Sequence, residues 1–200
     1  MDKRKFKKWG IIFCVLFVLW VIGTISEKSD KSVEADAPST EETVADKPKV
    51  LDVSNLELSD EKYINAIKDT NKFIGDIKVE GDKVTILFKD DMPILSEKSL
   101  VKNMAINGVD TFQKAFENSK ANTVELIARS KFTDSYGNEE VKDAVNVTWN
   151  REISDKVDYS NYKNLLHQDY TKLYMISEKF SIHPSIWNQL DQEDKDNMNM

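Results

Sequence analysis

Residues 124–149 read VELIARSKFTDSYGNEEVKDAVNVTW. Apolar and polar residues alternate in both halves of this stretch, as they do in β-strands that are buried on one face. Between the halves, residues 134–138 (DSYGN) predict a turn in which Gly137 supplies the positive φ. The stretch therefore predicts two long antiparallel strands, each with one face exposed to water.

The segment before these strands predicts a long amphipathic helix. Pro93 interrupts the preceding connection, and Ser96 is the expected N-cap. The apolar stripe of the helix consists of Leu100, Met104, Ala105, Gly108, Phe112, Ala115 and Phe116. A mid-helix glycine costs about 1 kcal/mol relative to alanine. We therefore expect the helix to approach the sheet closely at Gly108, with backbone binding of a ligand as the alternative.

A shorter helix and a hairpin are predicted further upstream. Ser59 and Asp60 can cap a helix that runs to about Asn71. Its apolar positions are Tyr63, Ile64 and Ile67. The hairpin places alternating apolar residues at 77–79 and 84–88 around a Gly81-Asp82 turn. Leu87 breaks the alternation, which suggests that the second strand is buried on both faces.

The last third of the chain predicts helix. One apolar stripe, interrupted near Asp169-Tyr170, consists of Tyr162, Leu165, Leu166, Leu173, Ile176 and Phe180. Pro184 ends it, residues 185–190 predict a short terminal helix, and the acidic tail at 191–200 is expected to fray. The predicted order is α-β-β-α-β-β-α. This is an α+β domain over residues 51–190, with a four-stranded, mostly antiparallel sheet and helices on one face.

The first 25 residues predict a membrane anchor. Residues 1–8 carry five basic side chains and one acidic side chain, and residues 9–25 carry no charge. By the positive-inside rule, we expect a basic cytoplasmic tail at 1–8, a single-pass transmembrane signal-anchor at 9–25 and extracytoplasmic residues from 26 to 200. The bilayer-facing residues are Trp9, Ile11, Ile12, Phe13, Val15, Leu16, Phe17, Val18, Leu19, Trp20, Val21, Ile22 and Ile25.

This segment has two other possible fates. Seventeen residues are at the short end of what spans a bilayer, so a cleaved signal peptide remains the alternative. A lipoprotein signal is excluded because Cys14 lies near the start of the apolar run. Residues 26–50 contain no aromatic residue and are mostly polar, which predicts a disordered linker.

Composition excludes several functions for residues 51–200. This part carries 27 acidic and 19 basic side chains, so it should repel nucleic acid. It contains no cysteine, since Cys14 is the only one in the chain. Disulfides, a cysteine nucleophile and cysteine-ligated zinc are therefore excluded there. The lysine-rich, cysteine-poor composition is similar to that of surface proteins of low-GC Gram-positive bacteria.

No catalytic, cofactor or metal motif stands out. The chain has no HExxH, no GxSxG and no glycine-rich phosphate loop. His167 and His183 are better explained by packing or capping than by catalysis, because His183 precedes Pro184 at a helix start. The pairs Asp90-Asp91 and Glu139-Glu140 are better explained as solvated loop charges than as a Ca²⁺ site.

The remaining enrichment is aromatic. Tyr170 and Tyr174 lie beside the main stripe and, with Trp187, form a possible partner surface, although core packing is the simpler interpretation. We expect a non-enzymatic, membrane-anchored domain that binds or scaffolds an envelope protein. The alternatives are a ligand sensor or phage/conjugation exclusion module with an apolar cleft, and an atypical hydrolase with a histidine beside a carboxylate.

Overall fold

The computed structural model describes residues 51–90 and 96–199. These residues belong to a compact unit that spans Pro48–Met200. The predicted anchor at 9–25, the linker at 26–50 and Pro93 lie outside the described residues. Within the described ranges, no helix is long and apolar enough to cross a membrane.

The described residues form seven helices and five strands. In chain order they are α1 (Glu61–Lys68), β1 (Ile74–Glu80), β2 (Lys83–Phe88), α2 (Glu97–Phe116), β3 (Thr123–Thr133), β4 (Glu139–Asn150), α3 (Arg151–Lys156), α4 (Tyr159–Gln168), α5 (Thr171–Ile176), β5 (Lys179–Ile182), α6 (Pro184–Trp187) and α7 (Gln192–Met198).

The strands form one sheet in the order β1-β2-β3-β4-β5. Only β2 and β3 are parallel, and α2 provides the crossover between them, while the other three neighbouring pairs are antiparallel. The predicted α+β class and mostly antiparallel sheet are confirmed. The predicted strand number was wrong, because the sheet has five strands and not four.

The core lies on one face of this sheet. One row of side chains crosses β2 to β5 on that face and consists of Ile86, Leu126, Val147 and Phe180. Helix α2 packs directly above the row, since a Cβ atom at Gly108 would lie 2.9 Å from the Leu126 Cδ1 methyl. The expected close approach at Gly108 is therefore confirmed.

Several local predictions are also confirmed. Asp60 caps α1 by accepting a hydrogen bond from the Lys62 N–H, and Ser96 forms a capping box with Ser99 at the start of α2. Gly81 and Gly137 have φ angles of 63° and 86° in the two hairpin turns. Leu87 is buried on the face opposite Ile86. Helix α1 ends at Lys68, three residues before the predicted end.

The C-terminal third required the largest correction. The helical part of the predicted stripe is divided between α4 and α5, and the chain turns at Asp169–Tyr170, where the sequence predicted the interruption. Phe180 belongs to β5 and not to a helix.

The tail also differs from the prediction. It forms α7, in which Met198 is buried. Lys98 at the start of α2 makes ion pairs with Asp191 and Asp194, and these hold the tail against the domain.

Arg151 and Asn118 tie together the ends of α2, β3 and β4. The Arg151 guanidinium donates to the carbonyl oxygens of Phe116, Asn118 and Ala121 at 2.7, 2.5 and 2.6 Å. The buried Asn118 amide donates to the carbonyl oxygens of residues 53 and 56, both at 3.0 Å. These contacts satisfy carbonyl groups in a partly buried site, of which those of residues 118 and 53 also accept a backbone N–H, at 3.2 and 3.4 Å.

Candidate functional site

A groove runs along the outer edge of β5. Its volume is about 570 Å³, and residues 177–182 form one wall of it. The rest of the lining comes from α5, α6, α7 and the residue after α7, and it consists of Tyr174, Met175, Trp187, Met198 and Asn199. The groove therefore combines an exposed strand edge with large, adaptable side chains.

The backbone of β5 faces this groove with groups that have no partner among residues 51–90 and 96–199. The N–H of His183 donates to the Ala144 carbonyl at 2.8 Å, which sets the phase of the β4–β5 ladder. Because hydrogen-bonded and non-hydrogen-bonded residues alternate in an antiparallel pair, the N–H and C=O groups of Phe180 and Ile182 point away from β4. In the described part of the chain, β5 is the last strand of the sheet on this side.

The three residues predicted as a possible partner surface differ in their exposure. Trp187 is half-buried and lines the groove, but Tyr174 is 1% exposed and Tyr170 is 8% exposed. The Tyr174 hydroxyl donates to the Val101 carbonyl at 2.7 Å, and burial raises the pKa of both phenols. The two tyrosines thus follow the core interpretation. The sequence did not point to Met175, which is 38% exposed in the groove, because it shows no periodic signal there.

A second groove lies among α3, α4 and α5. It has a volume of about 560 Å³ and is lined mainly by apolar side chains. The lining residues are Ile153, Lys156, Val157, Asp158, Asn161, Tyr162, Leu165 and Ile176. Leu165 is 39% exposed, so three members of the predicted stripe (Tyr162, Leu165 and Ile176) line a surface groove.

The two histidines lie on different elements, His167 in α4 and His183 at the start of α6. His183 is the N-cap of α6, where Nδ1 accepts from the Ser185 N–H at 3.3 Å, and its ring stacks on Phe132 with 3.9 Å between centroids. The predicted capping role of His183 is confirmed. His167 is exposed on α4. Within residues 51–90 and 96–199, neither histidine makes an ion pair with a carboxylate, and no cluster of possible metal ligands occurs.

The sheet face opposite the helices carries one buried carboxylate, on Glu125. Its oxygens accept from Lys83 Nζ at 2.5 Å and from Asn146 Nδ2 at 2.8 Å, which links β2, β3 and β4. Burial favours a raised pKa for this carboxyl, but the hydrogen bonds from Lys83 and Asn146 outweigh burial and lower it. Because its hydrogen bonds go to neighbouring strands, Glu125 serves as a cross-link within the sheet.

Comparisons with known proteins add no assignment. The chain matches no protein-family model, no curated protein and no solved structure. The two grooves are therefore the features of the described residues from which a function can be inferred.

Proposed function

We propose that this chain is a membrane-anchored extracytoplasmic domain of a bacterial envelope that binds a protein partner and has no enzymatic activity. The groove along β5 supports partner binding best, because it joins unpaired backbone groups to Met175 and Trp187. Aromatic residues and methionine are enriched in the cores of protein interfaces. The acidic balance of residues 51–200 disfavours nucleic acid as the occupant.

Site-specific photo-crosslinking on intact cells tests partner binding. Met175→p-benzoylphenylalanine places the reactive group in the groove, and Gln168→p-benzoylphenylalanine places it on exposed α4 surface that lines neither groove. We expect a discrete adduct from position 175 that weakens when Trp187→Ala is added, and no matching adduct from position 168. Equal adduct yields from both positions, or an adduct yield from position 175 that Trp187→Ala does not lower, would contradict the proposal.

The anchor has its own test. Cys14 is the only cysteine and lies inside the apolar run, so a second cysteine can be labelled against little background. Tyr136→Cys places that thiol at a fully solvated hairpin tip, where the native side chain is 92% exposed. A membrane-impermeant maleimide should label it on intact cells. Labelling only after lysis would refute the orientation, and a mature N-terminus near residues 24–27 would refute retention of the anchor.

The second groove favours one alternative function, the sensing of a small apolar ligand. Its volume of about 560 Å³ and its apolar lining are in the range of small-molecule sites. The dye 1-anilinonaphthalene-8-sulfonate is a suitable probe. Its fluorescence with the full chain should fall with Leu165→Glu and be unchanged with Gln168→Glu, which alters the same helix outside the groove. Equal fluorescence from both variants would exclude this groove as the dye site.

A further inference from the structure

We infer that the partner binds by adding an extended segment as a sixth strand along the outer edge of β5. The inference rests on the proposed function for the existence of a partner, but it specifies the chemistry of that partner. Only an extended backbone presents N–H and C=O groups at the spacing that another strand requires.

The β5 edge defines how much of the segment can pair. Phe180 and Ile182 each turn one N–H and one C=O toward the groove, so an added strand can make up to four backbone hydrogen bonds. By the same alternation, the backbone groups of Lys179 and Ser181 point toward β4 and offer none to an added strand. The paired part of the ligand is therefore about three residues long, flanked by residues that extend beyond the edge.

Side-chain directions then define the sequence of the ligand. The Phe180 side chain lies on the helix-bearing face, where its ring packs edge-on to Tyr174 with 5.3 Å between centroids. Residues directly opposite each other in paired strands share a face. Ligand residues opposite Phe180 and Ile182 would thus project toward Met175, Trp187 and Met198, while the residue between them would lie beside Lys179 and Ser181. This predicts an apolar–polar–apolar segment, with an acidic residue favoured at the middle position.

The opposite edge of the sheet is a poor alternative site. Strand β1 has a register shift between Ile74 and Asp76. It also presents Asp76, Lys78 and Glu80, and bulges and charges of this kind protect edge strands from pairing. Strand β5 carries one such charge, Lys179, and a groove lies along it. The two edges therefore differ in the features that decide whether a strand can be added.

A displayed library of ten-residue linear peptides provides the probe, selected on the full chain in detergent micelles. Ile182→Pro removes an outward N–H that β4 does not use, and Ile182→Ala removes the same side-chain packing but keeps that N–H. We expect enrichment of apolar–polar–apolar peptides whose affinity falls roughly tenfold or more for Ile182→Pro relative to Ile182→Ala.

Amide hydrogen exchange in the unsubstituted chain gives a second readout that does not depend on a variant folding. Bound peptide should slow exchange at Phe180 and Ile182 and leave Ser181, already paired with β4, nearly unchanged. No enriched peptide, equal affinity for the two variants, or unchanged exchange at Phe180 and Ile182 would overturn strand addition. Concentration-dependent protection without peptide would also overturn it, by showing that a second copy occupies the edge.

The two proposals can fail separately. If photo-crosslinks from position 175 persist in cells while the peptide experiments fail, a partner binds at this groove without adding a strand. If the peptides bind as expected but no cellular adduct forms, the edge of β5 can accept an added strand but no cellular partner binds at this groove.

Discussion

Replacement of Arg151 by lysine is expected to weaken the domain although it preserves the charge. The guanidinium donates to three carbonyl groups, on Phe116, Asn118 and Ala121, and its centre lies 5.0 Å from the Phe116 ring centroid. A lysine ammonium is a compact donor that can reach one of these carbonyls well, so two lose the bond from the guanidinium. The Asn118 carbonyl keeps its bond from the Ala121 N–H at 3.2 Å, so one or two carbonyls are left without a donor.

The size of the effect follows from the one or two carbonyl groups left without a donor. An unsatisfied buried acceptor costs about 1–3 kcal/mol. The Arg151 side chain is 27% exposed, so water can replace part of the lost bonding, and each acceptor should fall at the low end of that range. We expect a loss of about 1–3 kcal/mol in the free energy of unfolding. For a domain of this size, that corresponds to a fall of roughly 3–10 °C in Tm.

Urea and thermal unfolding of the full chain in micelles, followed by the near-ultraviolet circular dichroism of its aromatic residues, measure this loss. Arg129→Lys is the matched control, because Arg129 makes one ion pair, to Asp143 at 3.0 Å, with both side chains about half exposed. It should change stability by less than about 0.5 kcal/mol. Equal effects of the two substitutions would refute the view that a fork of three hydrogen bonds fastens this junction.

Three further predictions concern stability. Asn118→Ala should cost about 1–3 kcal/mol in urea unfolding, because the Leu56 carbonyl loses its donor and the Val53 carbonyl keeps only the Leu56 N–H at 3.4 Å. Asn122→Ala, which loses one exposed bond to Asp82, should cost under about 0.5 kcal/mol. Because the pKa of Glu125 is lowered, its carboxylate stabilises the fold above the ordinary pKa of 4.5, and this contribution is lost as the pH falls through the lowered pKa. The difference in free energy of unfolding between the unsubstituted chain and Glu125→Gln should therefore become smaller in acid. A difference that does not change with pH would contradict this. Met198→Ala should cost about 2 kcal/mol and speed amide exchange in α7, and no change would mean that the tail is not packed.

Much of the fold could be predicted because local signals agreed with the tertiary structure. The alternation in β3 and β4, the capping box at Ser96 and the proline after His183 each depend on near neighbours in the sequence. Gly108 was informative for the opposite reason. An unfavourable residue in a well-formed helix indicated a close neighbour, which is Leu126.

The fifth strand could not be predicted from its four residues. Lys179 to Ile182 alternate polar and apolar side chains, but Phe180 also fits the helical spacing of Leu173 and Ile176. Tertiary pairing with β4 decides between the two, and a pattern this short does not. The groove depends on β5, so the candidate site was missed for the same reason, and the sequence pointed only to Tyr174 and Trp187 among its lining residues.

The strand order of the sheet is also the order in which the strands are synthesised. Each strand from β2 onward pairs with the one made just before it, so the sheet can grow by addition at one side as the chain lengthens. Pairings between sequence neighbours keep the entropic cost of loop closure low, apart from the longer crossover through α2. Strand β5 is the last to be added. A chain interrupted before Lys179 would therefore expose the edge of β4 at residues 145–148, so completion of translation determines which strand edge is exposed.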